Sequence, residues 1–501
     1  MSGLPLWDAA TAAAVDRHSM GAAVGMPSPV LMERAALACA HELVALRAGS
    51  GLPVVAVCGP GNNGGDGLAI ARILHGWGLP VSWFDAAGGG NEARTQQRTL
   101  ATACGVPECA ALPRAAVMVD ACLGTGSRGA PHGRIADAIA AMHGCRGPRL
   151  AVDLPSGVDC DDGSIAGVAV RADVTVTFGA SKLGLHVTPG RDHAGRVVVA
   201  DIGLRAAADM PAIATLLAGP SIAAALAGAP TPRHKGERGH LGLLGGAAET
   251  PGAVLLAATA GFRAGAGLVT VACDDAALRA AVIAARPEIM LAPRRLPAVP
   301  AAEVLVVGCG LTDAAAIAGL DASFTDDPRP AVWDASALQQ LRCGTAPAGA
   351  RVLTPHPGEA ARMLASLEPD AGWTPQRVQA SRIDAVRRLA RATASTVVLK
   401  GAGTLVADPD RLAIASLGDA ALATAGSGDA LAGIIAARLV HAVDAFTAAC
   451  EGVMIHAAAG CVAGRRHANT MAGDVVAAID EARSFLASAA AHAALPSLRL
   501  A

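Results

Sequence analysis

The sequence predicts an α/β protein of two domains, each built on a largely parallel β-sheet. Three observations favour this fold class: a length of 501 residues, short apolar runs that alternate with helical stretches, and glycine-rich loops directly after several of those runs. A chain of this length exceeds one hydrophobic core, and α/β domains often reach about 200–250 residues. Runs that are apolar on both faces are typical of parallel strands covered by helices.

The elements fall into two series. The first has a predicted helix at 29–47 and predicted strands at 53–58, 81–84, 117–120, 150–153, 174–178 and 197–199. The second has predicted strands at 241–244, 268–271, 304–307, 331–334, 351–353 and 397–399. Between them, residues 204–235 are rich in alanine and carry Pro211, Pro220, Pro230 and Pro232, which is typical of a domain junction. We therefore expect two domains, 1–205 and 206–501.

Composition excludes several classes of partner. The net charge of -2 and the pI near 6.7 provide no basic surface for nucleic acid or an anionic membrane. No uninterrupted apolar run approaches the roughly 20 residues of a membrane span, since even 430–443 contains Arg438 and His441. We expect small-molecule ligands and a cytoplasmic location. The twelve cysteines are scattered without a Cys-x-x-Cys pair, which favours reduced structural thiols.

The first candidate site follows the strand 53–58. Residues 59–67 read Gly-Pro-Gly-Asn-Asn-Gly-Gly-Asp-Gly and precede an apolar helix. Such glycines allow positive φ and let backbone amides approach a ligand, and the helix N-terminus favours an anion. The spacing differs from the Gly-x-Gly-x-x-Gly fingerprint and lacks the ribose-binding carboxylate, which disfavours a dehydrogenase. A simple turn remains the alternative.

Two carboxylates repeat one arrangement beside this loop. Asp120 and Asp153 each end a predicted strand and precede a loop of small residues. In a parallel sheet both would lie at the same edge as Asn63, where they suit acid–base or cation-binding chemistry. Each alone is equally typical of a helix cap or a turn.

A second candidate site lies near the end of the chain. Lys400-Gly401-Ala402-Gly403-Thr404 follows a predicted strand, and Gly426-Ser427-Gly428-Asp429 precedes the apolar helix 430–439. Small residues at a helix N-terminus expose amides to an anion, and Asp429 is placed as a base against a hydroxyl. The lysine precedes the glycines, so the pattern is not a P-loop. It indicates phosphoryl transfer, with helix capping as the alternative.

The first half resembles the NAD(P)H-hydrate epimerase domain, a Rossmann-like parallel αβα sandwich. The likeness rests on Asn62 to Gly67, on Asp120 with Leu123 to Gly126, on Asp153 with Pro155 to Gly157, on Phe178 to Lys182, and on Met32-Glu33-x-Ala35. It implies a binding site for the hydrated cofactor at Asn62, Asn63, Gly64, Gly65, Asp66, Gly124, Thr125, Gly126, Ser127, Arg128, Gly129, Ala130 and Asp153. It also implies potassium on Asn63, Asp120 and Ser156, and acid–base roles for Asp153 and Lys182.

The second half resembles the ribokinase-like superfamily and, more narrowly, the ADP- or ATP-dependent NAD(P)H-hydrate dehydratase. The narrower likeness rests on 234–240, on 261–269 and on Thr354-Pro-His-Pro-Gly-Glu359. It implies that Ala253, Gly310, His356 and Asp429 contact the hydrated cofactor. It further implies that Lys400, Gly401, Ala402, Gly403, Thr404 and Gly428 contact the adenine nucleotide, with magnesium on its phosphates. Ala425 and Cys309 stand where this family commonly has glycine and proline.

Together the two resemblances imply one bifunctional repair enzyme. Its first domain would interconvert the R and S forms of hydrated NADH or NADPH, and its second would dehydrate the S form with ADP, giving AMP and phosphate. We also expect a homo-oligomer. A ribokinase-like vitamin or sugar kinase with an accessory ligand-binding domain is the alternative, because Gly-Ser-Gly-Asp alone does not distinguish phosphorylation from phosphorylation followed by elimination. A non-catalytic first domain is disfavoured by Asp120 and Asp153.

Overall fold

The computed structural model describes residues 3–210, 212–227, 234–294, 299, 301–312, 317, 326–341 and 346–500. The chain forms two compact units. The N-terminal unit comprises Leu4–Ala214 and Leu495–Ala501, and the C-terminal unit comprises Met1–Gly3 and Thr215–Ala494. Of the four prolines expected at the junction, Pro211, Pro230 and Pro232 lie outside the described residues, whereas Pro220 lies in a helix. The expected linker therefore contains regular structure.

Strands and helices are numbered in chain order through both units. The N-terminal unit has strands β1 (Gly3–Trp7), β2 (Val54–Cys58), β3 (Val81–Asp85), β4 (Val117–Ala121), β5 (Arg149–Val152), β6 (Val174–Phe178), β7 (Ser181–Lys182) and β8 (Arg196–Asp201). Its helices are α1 (Ala9–Met20), α2 (Ser28–Arg47), α3 (Asn62–Gly76), α4 (Glu92–Ala103), α5 (Gly133–Gly144) and α6 (Arg191–Ala194).

The main sheet of the N-terminal unit is parallel, as its β-branched, doubly buried strands predicted. Its strand order is β19-β8-β6-β5-β4-β2-β3, where β19 is Ser497–Leu500. After β2 the chain adds β3 on one side, and β4 then lies on the other side of β2. This reversal leaves a crevice beyond the carboxyl ends of β2 and β4, the usual ligand position in an open α/β sheet.

Apolar packing of helices on the sheet holds the strands whose ends form this crevice. All five residues of β2, β4 and β6 are buried, and α2 and α3 pack on the sheet through residues such as Leu43, Leu68 and Leu74. A second core cluster, which includes Met118 and Met142, fills the opposite face beneath α5. Helices on both faces leave the strand ends as the place where polar side chains gather.

The C-terminal unit repeats the design with a longer sheet. Its strands are β9 (Ala214–Leu217), β10 (His240–Leu244), β11 (Leu268–Ala272), β12 (Met290–Ala292), β13 (Val304–Val307), β14 (Ala331–Trp333), β15 (Arg351–Leu353), β16 (Thr396–Leu399), β17 (Leu405–Ala407) and β18 (Leu412–Ala415). The order is β12-β11-β10-β13-β14-β15-β16-β17-β18-β9. Pairing is parallel from β12 to β16, whereas β17 runs antiparallel to both neighbours.

The described helices of this unit are α7 (Gly219–Ala227), α8 (Pro251–Ala264), α9 (Ala276–Ala285), α10 (Pro357–Leu367), α11 (Pro375–Ala380), α12 (Arg382–Thr393), α13 (Ser427–Leu439), α14 (Ala445–Arg466), α15 (Ala472–Ala477), α16 (Ile479–Leu486) and α17 (Ala489–His492). By length and composition α14 could cross a membrane, but 78% of its most apolar window is buried within the protein. That burial is typical of a core helix.

Helices α8 and α13 approach each other through Gly433. A Cβ built on Gly433 would lie 2.0 Å from the carbonyl oxygen of Ala257. Ala253 lies in the first turn of α8 and Asp429 in the first turn of α13. The contact therefore sets the spacing of two helix ends that carry predicted site residues.

We expect Gly433→Ala to destabilise the C-terminal unit by about 1–3 kcal/mol, because the new methyl group overlaps the α8 backbone. Gly252→Ala, near the start of α8, is the matched control: no atom lies within 4 Å of its added Cβ. The helix propensity of alanine should leave that variant unchanged or slightly more stable. Urea unfolding followed by circular dichroism measures both, and equal midpoints for the two variants would contradict the packing role of Gly433.

Candidate active sites

The crevice of the N-terminal unit is a cavity of about 550 Å³. Nine of the predicted site residues line it: Asn62, Asn63, Asp66, Gly124, Thr125, Gly126, Ser127, Asp153 and Lys182. They come from the residues that follow β2, β4 and β5 and from β7. The cavity is large enough for much of a nucleotide-sized ligand and combines apolar walls with a few polar groups.

Five of the residues predicted to bind the substrate do not line this cavity. Arg128, Gly129 and Ala130 are exposed, and Arg128 pairs with Asp159 and Asp161. Gly64 and Gly65 are buried in α3, where a Cβ on Gly64 would lie 2.0 Å from the oxygen of Gly59 and one on Gly65 would lie 2.9 Å from the methyl carbon of Met32. These two glycines permit close packing behind the site.

The glycine loop also differs from expectation in conformation. Helix α3 already begins at Asn62, and none of the glycines from 59 to 67 adopts a positive φ. The positive φ that glycine allows is therefore not used in this loop. The glycines are needed because Gly59 approaches the backbone of Cys122, and a Cβ there would lie 1.8 Å from the Cys122 oxygen. Small residues bring β2, α3 and the loop after β4 together.

An ion pair forms the floor of the cavity. The ammonium Nζ of Lys182 lies 3.2 Å from Oδ1 of Asp153 and donates to Thr177 Oγ1 at 2.9 Å and to the Phe178 oxygen at 2.8 Å. The same Oδ1 accepts from Thr177, while Oδ2 accepts from the backbone N–H of Thr125 at 3.2 Å. Asp153 and Lys182 are both buried. Asp153 thus presents a fixed proton acceptor beside a fixed proton donor.

Asp153 also has an unusual backbone, with a φ of 69°. Few residues other than glycine adopt this left-handed region, and aspartate and asparagine tolerate it best. The strained turn directs the carboxylate toward Lys182 immediately after β5.

Two further acids line the same cavity. Asp66 is 9% exposed, and its carboxylate accepts no hydrogen bond within the part of the chain that the structure describes. Burial, together with the nearby carboxylates of Asp153 and Asp16, raises the pKa of Asp66 well above its usual value. Asp16 lines the cavity from α1. Sequence reasoning missed Asp16, since nothing in its spacing distinguishes it from an ordinary acid on a surface helix.

Hydrogen bonds link the three residues implied as cation ligands: Asn63 and Ser156 bond to the Leu123 backbone, and Asp120 bonds to Ser156. Asp120 accepts hydrogen bonds from Ser156 Oγ at 2.6 Å and from Ser156 N at 2.7 Å. Asn63 Nδ2 donates to the Leu123 oxygen at 2.9 Å, and Ser156 Oγ accepts from Leu123 N at 2.9 Å. Burial outweighs these bonds and raises the pKa of Asp120. No lysine or arginine pairs with this fully buried carboxylate among the described residues.

In the C-terminal unit, Lys400 lies at the centre of the second site. Its Nζ is 2.8 Å from Oδ1 of Asp334 and 3.8 Å from Oε2 of Glu359. Burial lowers the pKa of Lys400, but the two carboxylates outweigh this effect and raise it above its usual value. Asp334 is held in turn by Thr354 Oγ1, which donates to it at 2.7 Å. Sequence reasoning did not single out Asp334 or Glu359 for this role.

Asp429 faces the same cluster from the first turn of α13. Ligand atoms of Asp429, Asp334 and Cys309 all lie within 4.8 Å of one another. Burial first, and the Asp334 carboxylate second, raise the pKa of Asp429 to about 6. A Cβ on the adjacent Gly428 would lie 3.2 Å from Nζ of Lys400, so this glycine leaves the space beside the ammonium open. An aspartate with such a pKa suits a general base near neutral pH.

The remaining predicted residues of this unit lie around the strand ends. Gly310 has a φ of 65°, and its Cβ would lie 2.6 Å from the Cβ of Ala253, so these two residues are in contact. His356 is exposed and caps α10, where its Nδ1 accepts from Gly358 N at 3.0 Å. Ala425 does not adopt a positive φ, so alanine causes no left-handed backbone strain at this position. The eleven cysteines that the structure describes are free.

The loop of residues 400–404 turns sharply after β16. Gly401 and Gly403 adopt φ values of 131° and 66°, which favour glycine, and Thr404 Oγ1 donates to the Gly401 oxygen at 3.1 Å. Gly401 and Ala402 are exposed. Exposed backbone between Lys400 and Thr404 suits contact with a planar or anionic ligand.

Fold and sites together define a two-unit α/β enzyme, and two family models match it in the same order. Residues 28–184 match the YjeF-related protein N-terminus, and residues 241–480 match the NAD(P)H-hydrate dehydratase. The bifunctional NAD(P)H-hydrate repair enzyme of Moorella thermoacetica is 36% identical, over 90% of this chain and 91% of its own length. That of Escherichia coli is 34% identical, over 82% of this chain and 80% of its own length.

A crystal structure of the ADP/ATP-dependent NAD(P)H-hydrate dehydratase from Bacillus subtilis, co-crystallised with ATP and Mg²⁺, is 25% identical and covers 54% of this chain and 98% of that one, with a TM-score of 0.49. The full-length relatives decide the assignment: the chain belongs to the family of bifunctional NAD(P)H-hydrate repair enzymes. The predicted family and α/β class are thereby confirmed.

Proposed function

We propose that this chain restores hydrated NADH and NADPH by two reactions, epimerisation in the N-terminal unit and ADP-driven dehydration of the S form in the C-terminal unit. The carrying observation is that this chain, which covers 91% of the length of its Moorella thermoacetica relative, has both acid–base clusters, Asp153 with Lys182 and Asp429 with Lys400. We assign epimerisation to residues 1–205 and dehydration to 206–501. A cytoplasmic homo-oligomer is part of the proposal.

Epimerisation needs a carbon that can become planar and a pair of groups to move a proton. The hydroxyl of the hydrate lies on a ring carbon next to nitrogen, so the nitrogen lone pair can expel it as water once it is protonated. Water then adds to either face and loses a proton. The carboxylate of Asp153 and the ammonium of Lys182, 3.2 Å apart, are the proposed acceptor and donor. Asn62, Asn63, Asp66 and residues 124–127 would hold the substrate.

Dehydration is limited by hydroxide, which is a poor leaving group. Asp429 would take the hydroxyl proton while the hydroxyl oxygen bonds to the terminal phosphorus of ADP and AMP leaves. The C–O bond of the phosphate ester then breaks, phosphate departs, and transfer of a neighbouring ring proton to that phosphate restores the double bond. The proton on Asp429 returns to solvent, so the net reaction converts the hydrate and ADP into NAD(P)H, AMP, phosphate and a proton. Lys400 would stabilise the phosphoryl charge, beside Gly428 and residues 401–404.

The residues present fit magnesium and potassium. Magnesium on the nucleotide phosphates would neutralise charge, and the Asp334 carboxylate would offer it an oxygen ligand of the kind that a hard cation prefers. Potassium on Asn63, Asp120 and Ser156 would balance a carboxylate that is fully buried without a cationic partner in the described structure. Ala253, Gly310 and His356 would contact the substrate of the C-terminal unit.

The full chain should restore the absorbance of reduced nicotinamide from both hydrate forms when ADP, magnesium and potassium are present. Asp153→Asn preserves the left-handed backbone, and we expect it to repair the S form at the wild-type rate and the R form at least about a hundredfold more slowly. Asp137→Asn, at an exposed site outside the cavity, is the control. If wild-type protein instead accumulates a stable phosphorylated vitamin or sugar, the kinase alternative holds.

Potassium should raise the unfolding midpoint of the N-terminal unit. At equal ionic strength we expect a higher midpoint in KCl than in N-methylglucamine chloride, because only the folded unit assembles the Asp120 site. Asp120→Asn removes the uncompensated charge and should abolish the difference. Asp173→Asn outside the cavity should retain it. Equal midpoints for wild-type protein in the two salts would refute the cation assignment.

Dehydration of the S form should depend on pH through Asp429. A base with a pKa of about 6 is ionised above that value, so kcat/KM should be nearly constant at higher pH and fall about tenfold per unit below it. Asp429→Asn should lose dehydration while epimerisation persists, which shows that the chain stays folded. A dehydration rate that is unchanged from pH 7 to pH 5 would contradict the role of Asp429 as base.

A further inference from the structure

One buried arginine contacts the glycine loop of the C-terminal unit from behind. Arg382 is the first residue of α12 and is 2% exposed. Its Nη2 donates to the oxygens of Leu399 and Gly403, both at 3.3 Å, and its Nη1 donates to the Lys400 oxygen at 3.4 Å. A single guanidinium therefore joins the end of β16 to the far side of the loop.

The fit between this arginine and the loop is close. A Cβ on Gly401 would lie 2.8 Å from Nη1 of Arg382, so a side chain at 401 would displace the guanidinium. Gln379 Oε1 accepts from the same Nη1 at 2.8 Å and fixes its direction. Glycine at 401 thus allows a φ of 131° and also leaves room for the Arg382 guanidinium.

The charge of Arg382 is not balanced by a carboxylate. Among the residues that the structure describes, no aspartate or glutamate pairs with it, and its buried Nε lacks a hydrogen-bond partner. Burial alone lowers the pKa of the guanidinium to about 10. Burying a cation costs folding free energy unless an anion compensates it. A neutral side chain would therefore fill a purely structural role at a lower cost in folding free energy.

We propose that Arg382 is a positioning residue for the adenine nucleotide: it holds the backbone of residues 399–403 through three carbonyls and adds positive potential behind this loop. The inference rests on the proposed function of this loop. This role predicts an effect on one of the two substrates only. Loss of Arg382 should weaken the use of the nucleotide, while Asp429 and the surface for the hydrated cofactor keep their geometry.

The test uses the full-length chain with Arg382→Lys and Arg382→Gln. Lysine keeps the charge without the planar fork, and glutamine keeps hydrogen bonding without the charge. We expect the KM for ADP to rise roughly tenfold or more in Arg382→Gln and less in Arg382→Lys, since one lost charge-assisted hydrogen bond is worth about that factor. The KM for the S hydrate and kcat at saturating ADP should stay within about threefold of wild type.

Arg388→Gln is the matched control, because Arg388 lies on the same helix but is exposed and pairs with Asp384 and Glu368. It should leave all three kinetic constants unchanged. If both KM values and kcat deteriorate together in the Arg382 variants, or the KM for ADP does not move, the positioning role is wrong. Should Arg382→Gln fail to fold, Arg382→Lys and its thermal shift with magnesium and ADP decide the question.

The two proposals fail differently. If wild-type protein dehydrates the hydrate without any adenine nucleotide, or not at all, the proposed function fails before any variant is made. If wild-type protein requires ADP and the Arg382 variants use it normally, only the positioning role is refuted.

Discussion

Parallel pairing of strands is the constraint on which both sites depend. Parallel strands end at one edge of their sheet, and a residue that follows a strand there meets the residues that follow its neighbours. In the N-terminal unit, β2, β4 and β5 deliver Asn63, Leu123 and Asp153 in this way. In the C-terminal unit, Asp334 follows β14 and Lys400 follows β16. Short segments, each a strand and the residues after it, thus bring together site residues that are far apart in the sequence.

Buried charge is the second shared feature, and its sign differs between the units. Asp120 is a buried carboxylate without a cationic partner in the described structure, and Arg382 is a buried guanidinium without an anionic one. Each costs folding free energy when unbalanced. A protein retains such groups where a ligand of opposite charge completes them, which is consistent with a cation in one unit and a phosphate-bearing nucleotide in the other. The proposed potassium and nucleotide sites would couple stability to binding at both places.

The strand cores and the strand-end acids could be predicted from sequence because their signals are local. Doubly apolar runs predicted β2, β4, β6, β10 and β13 to within a residue or two. The resemblance implied acid–base roles for Asp153 and Lys182, and their side chains lie 3.2 Å apart. The start of α3 was missed because glycines at 64, 65 and 67 have low helix propensity, which tertiary packing overrides. Asp334, Glu359 and Arg382 were missed because Lys400 and the backbone around it, which they contact, are at least 17 residues away along the chain.

The strand β19 gives the polypeptide an unusual path. Residues 495–501 belong to the N-terminal unit, where β19 pairs in parallel with β8 at the edge of the sheet. During synthesis, the edge of β8 that pairs with β19 therefore stays unpaired until nearly three hundred further residues have been made. Open edges attract foreign strands. The edge of β8 is therefore open to aggregation until the C-terminal unit has been synthesised.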